Sequence, residues 1–337
     1  MTTTATTKLT FGAALNAALA HSLEASQEVV IFGEDVGTLG GVFRVTDGLA
    51  ARYGAERCFD TPLAESGIMG TAVGMAMNGM RPVVEMQFDA FAYPAFEQVA
   101  SHLAKMHNRT RGRVKLPVTV RIPYGGGVGG VEHHCDSSEG YYAHTPGLKV
   151  YVPGTVQDAY LMLREAIDSP DPVVFFEPKK LYWSKSELSL DDLRATYEGG
   201  ERREGAAVVA REGTDVTLVT YGPSLPTVLQ AAEAAAEDGV SVEVLDLRTI
   251  VPLDDHTVCT SVEKTGRAVV VAEAQGFASV GSELVARIQE RCFHSLASPV
   301  RRVTGFDIPY PAPKLEEHHL PSVDRILDVI DSMQWED

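Results

Sequence analysis

The carboxylate of Glu65 is the first candidate for chemistry in this sequence. It lies in the stretch Asp60-Thr61-Pro62-Leu63-Ala64-Glu65-Ser66-Gly67, among small and apolar residues. Such neighbours solvate a carboxylate poorly, so we expect a raised pKa for Glu65, which suits proton exchange near neutral pH. The alternative is an acidic residue that only stabilises the start of a helix through the macrodipole.

Histidines follow a stretch of five glycines in residues 123–130. His133 and His134 come directly after this stretch, and His144 lies ten residues beyond His134. The glycines lack the spacing of a dinucleotide fingerprint and predict a flexible loop that faces a substrate. Adjacent histidines rarely bind one metal ion and no third ligand has suitable spacing, so a metal hydrolase is a minor hypothesis. Proton transfer by a histidine and a structural hydrogen-bonding role both stay open.

Acidic residues directly follow a predicted buried strand. The apolar run 29–32 precedes Gly33-Glu34-Asp35. Open α/β sheets bind ligands just beyond the carboxyl ends of their strands, which makes Glu34 a second candidate. A solvated loop is the alternative.

Predicted strands and helices alternate along the chain. Strands are predicted at 29–32, 83–88, 118–122, 148–152, 173–176, 216–219, 242–245 and 268–272. Helices are predicted at 10–26, 70–79, 155–168, 225–237, 282–291 and 323–333. This rhythm indicates an α/β fold of two doubly wound open-sheet domains. We place them at residues 1–195 and 206–337, joined by a linker at 196–205.

Composition excludes several classes of function. The 337 residues carry a net charge of −17, from 46 acidic and 29 basic residues, which disfavours nucleic acid and anionic membranes as partners. The four cysteines form no CxxC pair, no apolar run approaches membrane-spanning length, and the Thr-rich start lacks the features of a signal peptide. These features predict a cytoplasmic protein.

Long ordered motifs extend over nearly the whole chain. They are Gly33-Glu34-Asp35-Val36, Gly41-Val42-Phe43-Arg44, Asp60-Thr61-Pro62-Leu63-Ala64-Glu65, Arg81-Pro82-Val83, Pro94-Ala95-Phe96-Glu97-Gln98, His144-Thr145-Pro146-Gly147-Leu148-Lys149-Val150 and Phe175-Phe176-Glu177-Pro178-Lys179. In these motifs the chain resembles the beta subunits of thiamine-diphosphate-dependent 2-oxo acid dehydrogenases, the decarboxylating first components of multienzyme complexes. The resemblance implies a transketolase-like pyrimidine-binding domain followed by a transketolase C-terminal-like domain.

The resemblance also implies roles for single residues. Glu65 falls on the glutamate that hydrogen-bonds the aminopyrimidine ring of thiamine diphosphate, and Phe91 on the aromatic residue that packs against that ring. Leu63 and Gln87 fall on positions that line the cofactor. Glu34 matches an acid near the cofactor in a proton path.

His134 matches the histidine that acts when the acyl group passes to the lipoyl arm of the next enzyme. The usual His-Ser-Gln-Ser reads His134-Cys135-Asp136-Ser137 here, which leaves the partners of this histidine open. A potassium site in the family falls on Val118, Ala166, Ile167, Ser169 and Asp171, where Ser169 replaces an aspartate.

One expected motif is absent from the sequence. Thiamine enzymes hold Mg²⁺ and the diphosphate with Gly-Asp-Gly followed by Asn, and no Gly-Asp-Gly occurs here. We therefore expect an alpha subunit to hold Mg²⁺ and half of the cofactor, in an α2β2 heterotetramer that delivers acyl groups to a lipoyl-bearing dihydrolipoyl acyltransferase. This excludes a self-contained transketolase-like enzyme.

The aromatic order Phe88, Phe91, Tyr93 and Phe96 resembles the branched-chain type of this family more than the pyruvate type. A branched-chain 2-oxo acid dehydrogenase beta subunit is the favoured hypothesis, and a pyruvate or acetoin dehydrogenase beta subunit is the alternative. A non-catalytic scaffold is disfavoured because it would need none of Glu65, Phe91 and His134.

Overall fold

A computed structural model describes residues 7–200 and 204–334. The Thr-rich start, residues 1–6, and residues 201–203 of the predicted linker lie outside the described residues. None of the helices in the described ranges is long and apolar enough to cross a bilayer.

The strands and helices alternate as the sequence predicts. The strands are β1 Thr7–Thr10, β2 Val29–Gly33, β3 Cys58–Asp60, β4 Arg81–Glu85, β5 Thr119–Tyr124, β6 Lys149–Tyr151, β7 Val173–Pro178, β8 Lys185–Leu188, β9 Val208–Arg211, β10 Val216–Thr220, β11 Val242–Asp246, β12 Thr249–Val251, β13 Ala268–Gln275 and β14 Arg301–Gly305. The α-helices are α1 Phe11–Ala25, α2 Leu49–Tyr53, α3 Glu65–Met77, α4 Tyr93–Gln98, α5 Met106–Arg109, α6 Glu139–Ala143, α7 Val156–Asp168, α8 Leu190–Gly199, α9 Leu225–Glu237, α10 Asp255–Thr265, α11 Val280–Cys292, α12 Glu316–His319 and α13 Val323–Gln334.

The first sheet has the order β12-β6-β7-β5-β4-β2-β3, and its strands from β2 to β7 run parallel. Alternate side chains of a strand face opposite sides of its sheet. Val30 and Phe32 accordingly enter one core, and Val29 and Ile31 enter a second core with α1 and α7. Helices therefore cover both faces, which confirms the doubly wound arrangement.

The second sheet has the order β14-β13-β10-β11-β9, with β9 antiparallel to β11. Leu218 and Val244 face a core built with α9 and α13. Val219 and Leu245 face the opposite side, where they join the core of the first domain. One apolar core is thus shared by the two domains and fixes their mutual orientation.

Several elements are absent from the sequence prediction, among them β3, β14 and α10. Three further features change the expected architecture. Strand β12 belongs to the second half of the chain but pairs antiparallel with β6 of the first sheet. Strand β8 pairs with β1 in a separate two-stranded sheet. Helix α8 continues to Gly199, so the first four residues of the predicted linker are helical. This helix buries only Leu193 and Tyr197, which explains its weak apolar periodicity. The domain boundaries stay a prediction.

A buried ion cluster joins three neighbouring strands at their carboxyl ends. Arg121 of β5 donates through Nε and Nη2 to the Glu177 carboxylate of β7, at 2.6 and 2.9 Å, and through Nη1 to Glu85 of β4 at 2.6 Å. All three side chains are almost fully buried. The Tyr182 hydroxyl also donates to Glu177, at 2.7 Å.

We predict that Arg121→Met lowers the free energy of unfolding by about 3–5 kcal/mol, because two carboxylates stay buried without their cation. Chemical denaturation measures this change. Arg194→Met is the matched control, since Arg194 forms exposed ion pairs with Glu24 and Glu198 that contribute little. If both substitutions lowered the free energy of unfolding equally, the buried ion cluster would not have the structural role assigned to it here.

Candidate active site

The candidate catalytic residues lie at one edge of the first sheet. Glu34 directly follows β2, Gln87 to Phe91 follow β4, and the glycine-rich loop with His134 follows β5. Glu65 is the first residue of α3, which comes after β3. Because these strands are parallel, their carboxyl ends lie side by side and the loops meet.

Glu34 and Glu65 are brought together by this arrangement. Glu34 is 7% exposed, and burial raises the pKa of its carboxyl, with further contributions from the charges of Glu65 and Asp35. The Oε1 atom of Glu34 is buried and has no hydrogen-bond partner in the part of the chain that the structure describes. A buried acceptor of this kind needs a donor from a ligand or an ordered water.

The surroundings of Glu65 differ from the expectation. Glu65 is half-buried, and its neighbours Ala64, Ser66 and Gly67 are exposed. Leu63 is 79% exposed, although it is a large apolar side chain. This chain alone therefore does not supply the apolar environment that the sequence suggests around Glu65.

Gln87 and Asp60 order the loops around these carboxylates. The Nε2 of Gln87 donates to Asp35 Oδ2 at 3.0 Å, which ties the loops after β2 and β4 together. Asp60 accepts from the amides of Gly37 and Thr38, at 2.6 and 3.1 Å. The segment that leads to Glu65 is thus fixed to the loop that follows Glu34.

Four rings, those of Phe88, Phe91, His133 and His134, form a cluster. The Phe91 ring lies 5.9 Å from the His133 ring, at an interplanar angle of 24°, and 5.3 Å from the His134 ring. Phe88 packs edge-on against His134, with ring centroids 4.4 Å apart. The predicted cofactor residue Phe91 and the predicted catalytic His134 are therefore in direct contact.

His134 is half-buried, and its Nδ1 atom is buried with no hydrogen-bond partner within the described ranges. Burial lowers the pKa of this imidazole, and the neighbouring His133 and Lys179 lower it further. The ring is therefore neutral near neutral pH and can accept a proton.

The residues that depart from the family motif contact other parts of the chain. Cys135 is buried with Tyr310 and Leu320, and burial raises the pKa of its thiol to about 11. Asp136 accepts from the Tyr93 hydroxyl at 2.8 Å. These contacts fix the backbone on the C-terminal side of His134.

His144 lies away from the other two histidines. It lines a cavity of about 990 Å³ between the two domains, together with residues of α11, whereas His133 and His134 do not line this cavity. Among residues 7–200 and 204–334, no group of three or more His, Cys, Asp or Glu side chains could hold a metal ion.

The predicted potassium positions lie beside the start of β5, in the last turn of α7 and directly after that helix. The Val118 carbonyl accepts from the Val173 amide at 3.0 Å, and the Ala166 carbonyl accepts from the Ser169 amide at 3.3 Å. Arg81 Nη1 donates to the carbonyls of Ile167 and Ser169, at 3.0 and 3.4 Å. Lys149 Nζ lies 3.5 Å from the Asp171 carboxylate.

Two buried ionisable residues at the site were not predicted from the sequence as site residues. Lys179 is fully buried, and burial lowers the pKa of its ammonium to about 8. Its Nζ lies 6.0 Å from the centre of the Phe88 ring. Asp89 binds the amide and hydroxyl of Ser138, and burial raises the pKa of its carboxyl to about 7. The sequence did hold a signal for Lys179, because this lysine directly follows a mainly apolar strand, where parallel sheets place site residues.

Comparison with known proteins identifies the family. The family model described as the transketolase pyrimidine-binding domain matches residues 7–184, and the model of the transketolase C-terminal domain matches residues 205–326. A solved structure named as an inactive beta4 tetramer of a split-gene transketolase has the same fold, with a TM-score of 0.79, 21% identity and coverage of 97% of this chain and 98% of that chain.

Relatives define the family more narrowly. The pyruvate dehydrogenase E1 component subunit beta of Leifsonia xyli is 53% identical over 94% of this chain and 92% of the relative. The 3-methyl-2-oxobutanoate dehydrogenase subunit beta of Mycobacterium tuberculosis is 52% identical over 97% of this chain and 92% of the relative. The chain belongs to the beta subunits of thiamine-diphosphate-dependent 2-oxo acid dehydrogenases.

We predict that Lys179→Met raises the pKa of His134. Below pH 8 the Lys179 ammonium is largely charged and opposes protonation of the ring, so its removal moves the pKa of His134 upward while burial still holds it down. The pH dependence of diethyl pyrocarbonate modification at His134, followed by mass spectrometry, measures the shift. The exposed neighbour Lys180 provides the control, Lys180→Met. An unchanged pKa of His134 in the Lys179 variant would contradict this account.

Proposed function

We propose that this chain is the beta subunit of a branched-chain 2-oxo acid dehydrogenase, active only together with an alpha subunit. Two observations carry the proposal: Glu34 lies near Glu65, and Phe91 contacts His134, with all four residues on segments that follow parallel strands of the first sheet. Thiamine diphosphate supplies an electron sink for the decarboxylation of 2-oxo acids when it is bound.

The residues at the sheet edge suit the pyrimidine half of this cofactor. The Glu65 carboxylate is accessible and can accept a hydrogen bond from a protonated ring nitrogen. Phe91 provides an aromatic face, and Leu63 and Gln87 flank the same opening. The unpartnered Oε1 of Glu34 can accept from an amino group or an ordered water. Glu34, with its raised pKa, is suited to hold a proton near Glu65.

The other half of the site requires a second chain. The sequence lacks a Gly-Asp-Gly motif for Mg²⁺ and diphosphate, and its net charge of −17 opposes binding of an anion by this chain alone. The exposed side chain of Leu63 next to Glu65 suits contact with a partner. We infer an α2β2 assembly in which the alpha subunit supplies the Mg²⁺ site and covers Leu63.

His134 suits acyl transfer to a lipoyl-bearing dihydrolipoyl acyltransferase. Its neutral ring is partly accessible and can exchange a proton with a dithiolane sulfur during transfer. The free state of all four cysteines, Cys58, Cys135, Cys259 and Cys292, supports a cytoplasmic location.

A structural potassium ion at the loop after α7 is part of the proposal. The candidate ligands are in part carbonyl oxygens, which hard cations prefer. The carbonyls of Val118, Ala166, Ile167 and Ser169 each have a second lone pair beyond the one that Arg81 or an amide uses. Thermal unfolding in potassium and in choline chloride at equal ionic strength tests it. Potassium should raise the melting temperature, and equal values would count against the site.

The substrate class is tested by turnover of the assembled α and β chains on 3-methyl-2-oxobutanoate and on pyruvate. The proposal predicts a higher kcat/KM for the branched substrate. The packed apolar rings of Phe88 and Phe91 suit a branched apolar side chain and support this choice, while the relative from Leifsonia xyli favours pyruvate as the second candidate. A methylene or two changes kcat/KM by about 10–200-fold. A preference for pyruvate would overturn the branched-chain assignment and leave the family intact.

We predict that Glu65→Gln in the assembled enzyme lowers decarboxylation by at least about a hundredfold, because the amide cannot exchange a proton with the cofactor. The free energy of unfolding of the variant and its assembly with the alpha subunit should equal those of the wild type. Glu56→Gln is the control, since Glu56 is exposed and precedes β3, at the opposite end of that strand from the site. Near-normal turnover of the Glu65 variant would contradict the catalytic role assigned to this carboxylate.

We predict that His134→Ala slows reductive acylation of lipoyl domains more than decarboxylation measured with an artificial electron acceptor. The reason is that only the first assay includes acyl transfer to a dithiolane. His133→Ala shows whether a loss is specific to His134. Equal losses in the two assays would argue against a role in transfer.

A further inference from the structure

The glycine-rich loop before His134 is attached to carboxylates of the C-terminal domain. The amide of Gly127 donates to Glu316 Oε1 at 2.7 Å, and the amide of Gly129 donates to Glu316 Oε2 at 3.1 Å. The amide of Gly126 donates to the Glu273 carboxylate. Three successive hydrogen bonds from one loop therefore end on two side chains that lie more than 140 residues away in the sequence.

The conformation of this loop explains its glycines. Gly125, Gly127 and Gly129 have φ angles of +77°, +78° and +68°, which other residues rarely adopt. Amides in such a backbone can converge on one anion. A Cβ atom on Gly126 would overlap the Tyr310 hydroxyl. The loop is therefore shaped to the C-terminal domain rather than free, contrary to the sequence expectation of flexibility.

Glu316 is itself held in place. It is 8% exposed, and the Tyr310 hydroxyl donates to its Oε1 at 2.6 Å. Tyr310 also packs with Leu320 around Cys135, the residue that follows His134. The Gly125 amide donates to the Asp136 carbonyl at 2.8 Å and closes the loop. The same part of the C-terminal domain thus contacts the chain on both sides of His134, through loop amides before it and through Cys135 after it.

We propose that Glu316 is a positioning residue for acyl transfer: its carboxylate fixes the glycine-rich loop and thereby the ring of His134. This inference rests on the role of His134 in the proposed function. The Glu316 side chain accepts from two amides of the loop, so this single side chain can order the loop. The C-terminal domain then takes part in the reaction without contacting the substrate.

The attachment is tested by hydrogen exchange of the full chain, with Glu316→Gln compared with wild type. Glutamine keeps the size of the side chain, but its single carbonyl oxygen replaces two acceptors. Exchange in residues 125–130 should become about tenfold to a hundredfold faster. Glu317→Gln is the matched control, because Glu317 is the exposed neighbour on the same short helix. Unchanged exchange in the Glu316 variant would overturn the attachment.

The consequence for His134 is tested in the assembled enzyme. Glu316→Gln should lower kcat/KM for the lipoyl domain about tenfold, while turnover with an artificial acceptor and the melting temperature stay at the wild-type level. Tyr310→Phe removes one hydrogen bond to Glu316 and should lower kcat/KM for the lipoyl domain by a smaller factor. This variant replaces Glu316→Gln as the test if the latter does not fold.

Two other outcomes would overturn the positioning role. One is a loosened loop with an unchanged kcat/KM for the lipoyl domain, and the other is an equal loss in both assays. Failure of the underlying proposal is recognised separately: His134→Ala would then transfer acyl groups normally, whatever the Glu316 variants do.

Discussion

The buried guanidinium of Arg121 is the constraint on which the site depends. It joins β4, β5 and β7 through Glu85 and Glu177 at the carboxyl ends of these strands. The loop after β4 provides Gln87 and Phe91, the segment after β5 provides His134, and Lys179 directly follows β7. The relative positions of these residues are set by strands that a fully desolvated ion cluster holds in register.

Above this cluster, the chain keeps several ionisable groups without complete hydrogen bonding. Glu34 Oε1, His134 Nδ1 and Lys179 Nζ are buried and have no partner in the part of the chain that the structure describes. Native proteins rarely leave such atoms unsatisfied unless a ligand, water or catalytic step uses them. Burial raises the pKa of Glu34 and lowers the pKa values of His134 and Lys179, so it favours the uncharged form of each group. This arrangement is suited to be one half of an active site, and a cofactor and a second chain would complete it.

Local patterns predicted much of the fold. Helix α9 has the bounds that the sequence indicates, Leu225–Glu237, because its apolar face, its Pro226 near the start and its polar end agree. The meeting of Glu34 and Glu65 was also predictable, since both follow parallel strands.

Strand β12 and helix α8 were missed, because β12 is only three residues long and pairs with a strand about 100 residues earlier, and α8 buries few residues. The hydrogen bonds between the glycine-rich loop and Glu316 leave no local pattern in the sequence. Long-range contacts of this kind appear only when the chain is folded.

The measurement that tests the central claim most directly is calorimetric binding of thiamine diphosphate with Mg²⁺. It compares this chain alone, the alpha subunit alone and the mixture of the two. The account predicts binding only in the mixture. Full-affinity binding by this chain alone would contradict a site divided between two polypeptides.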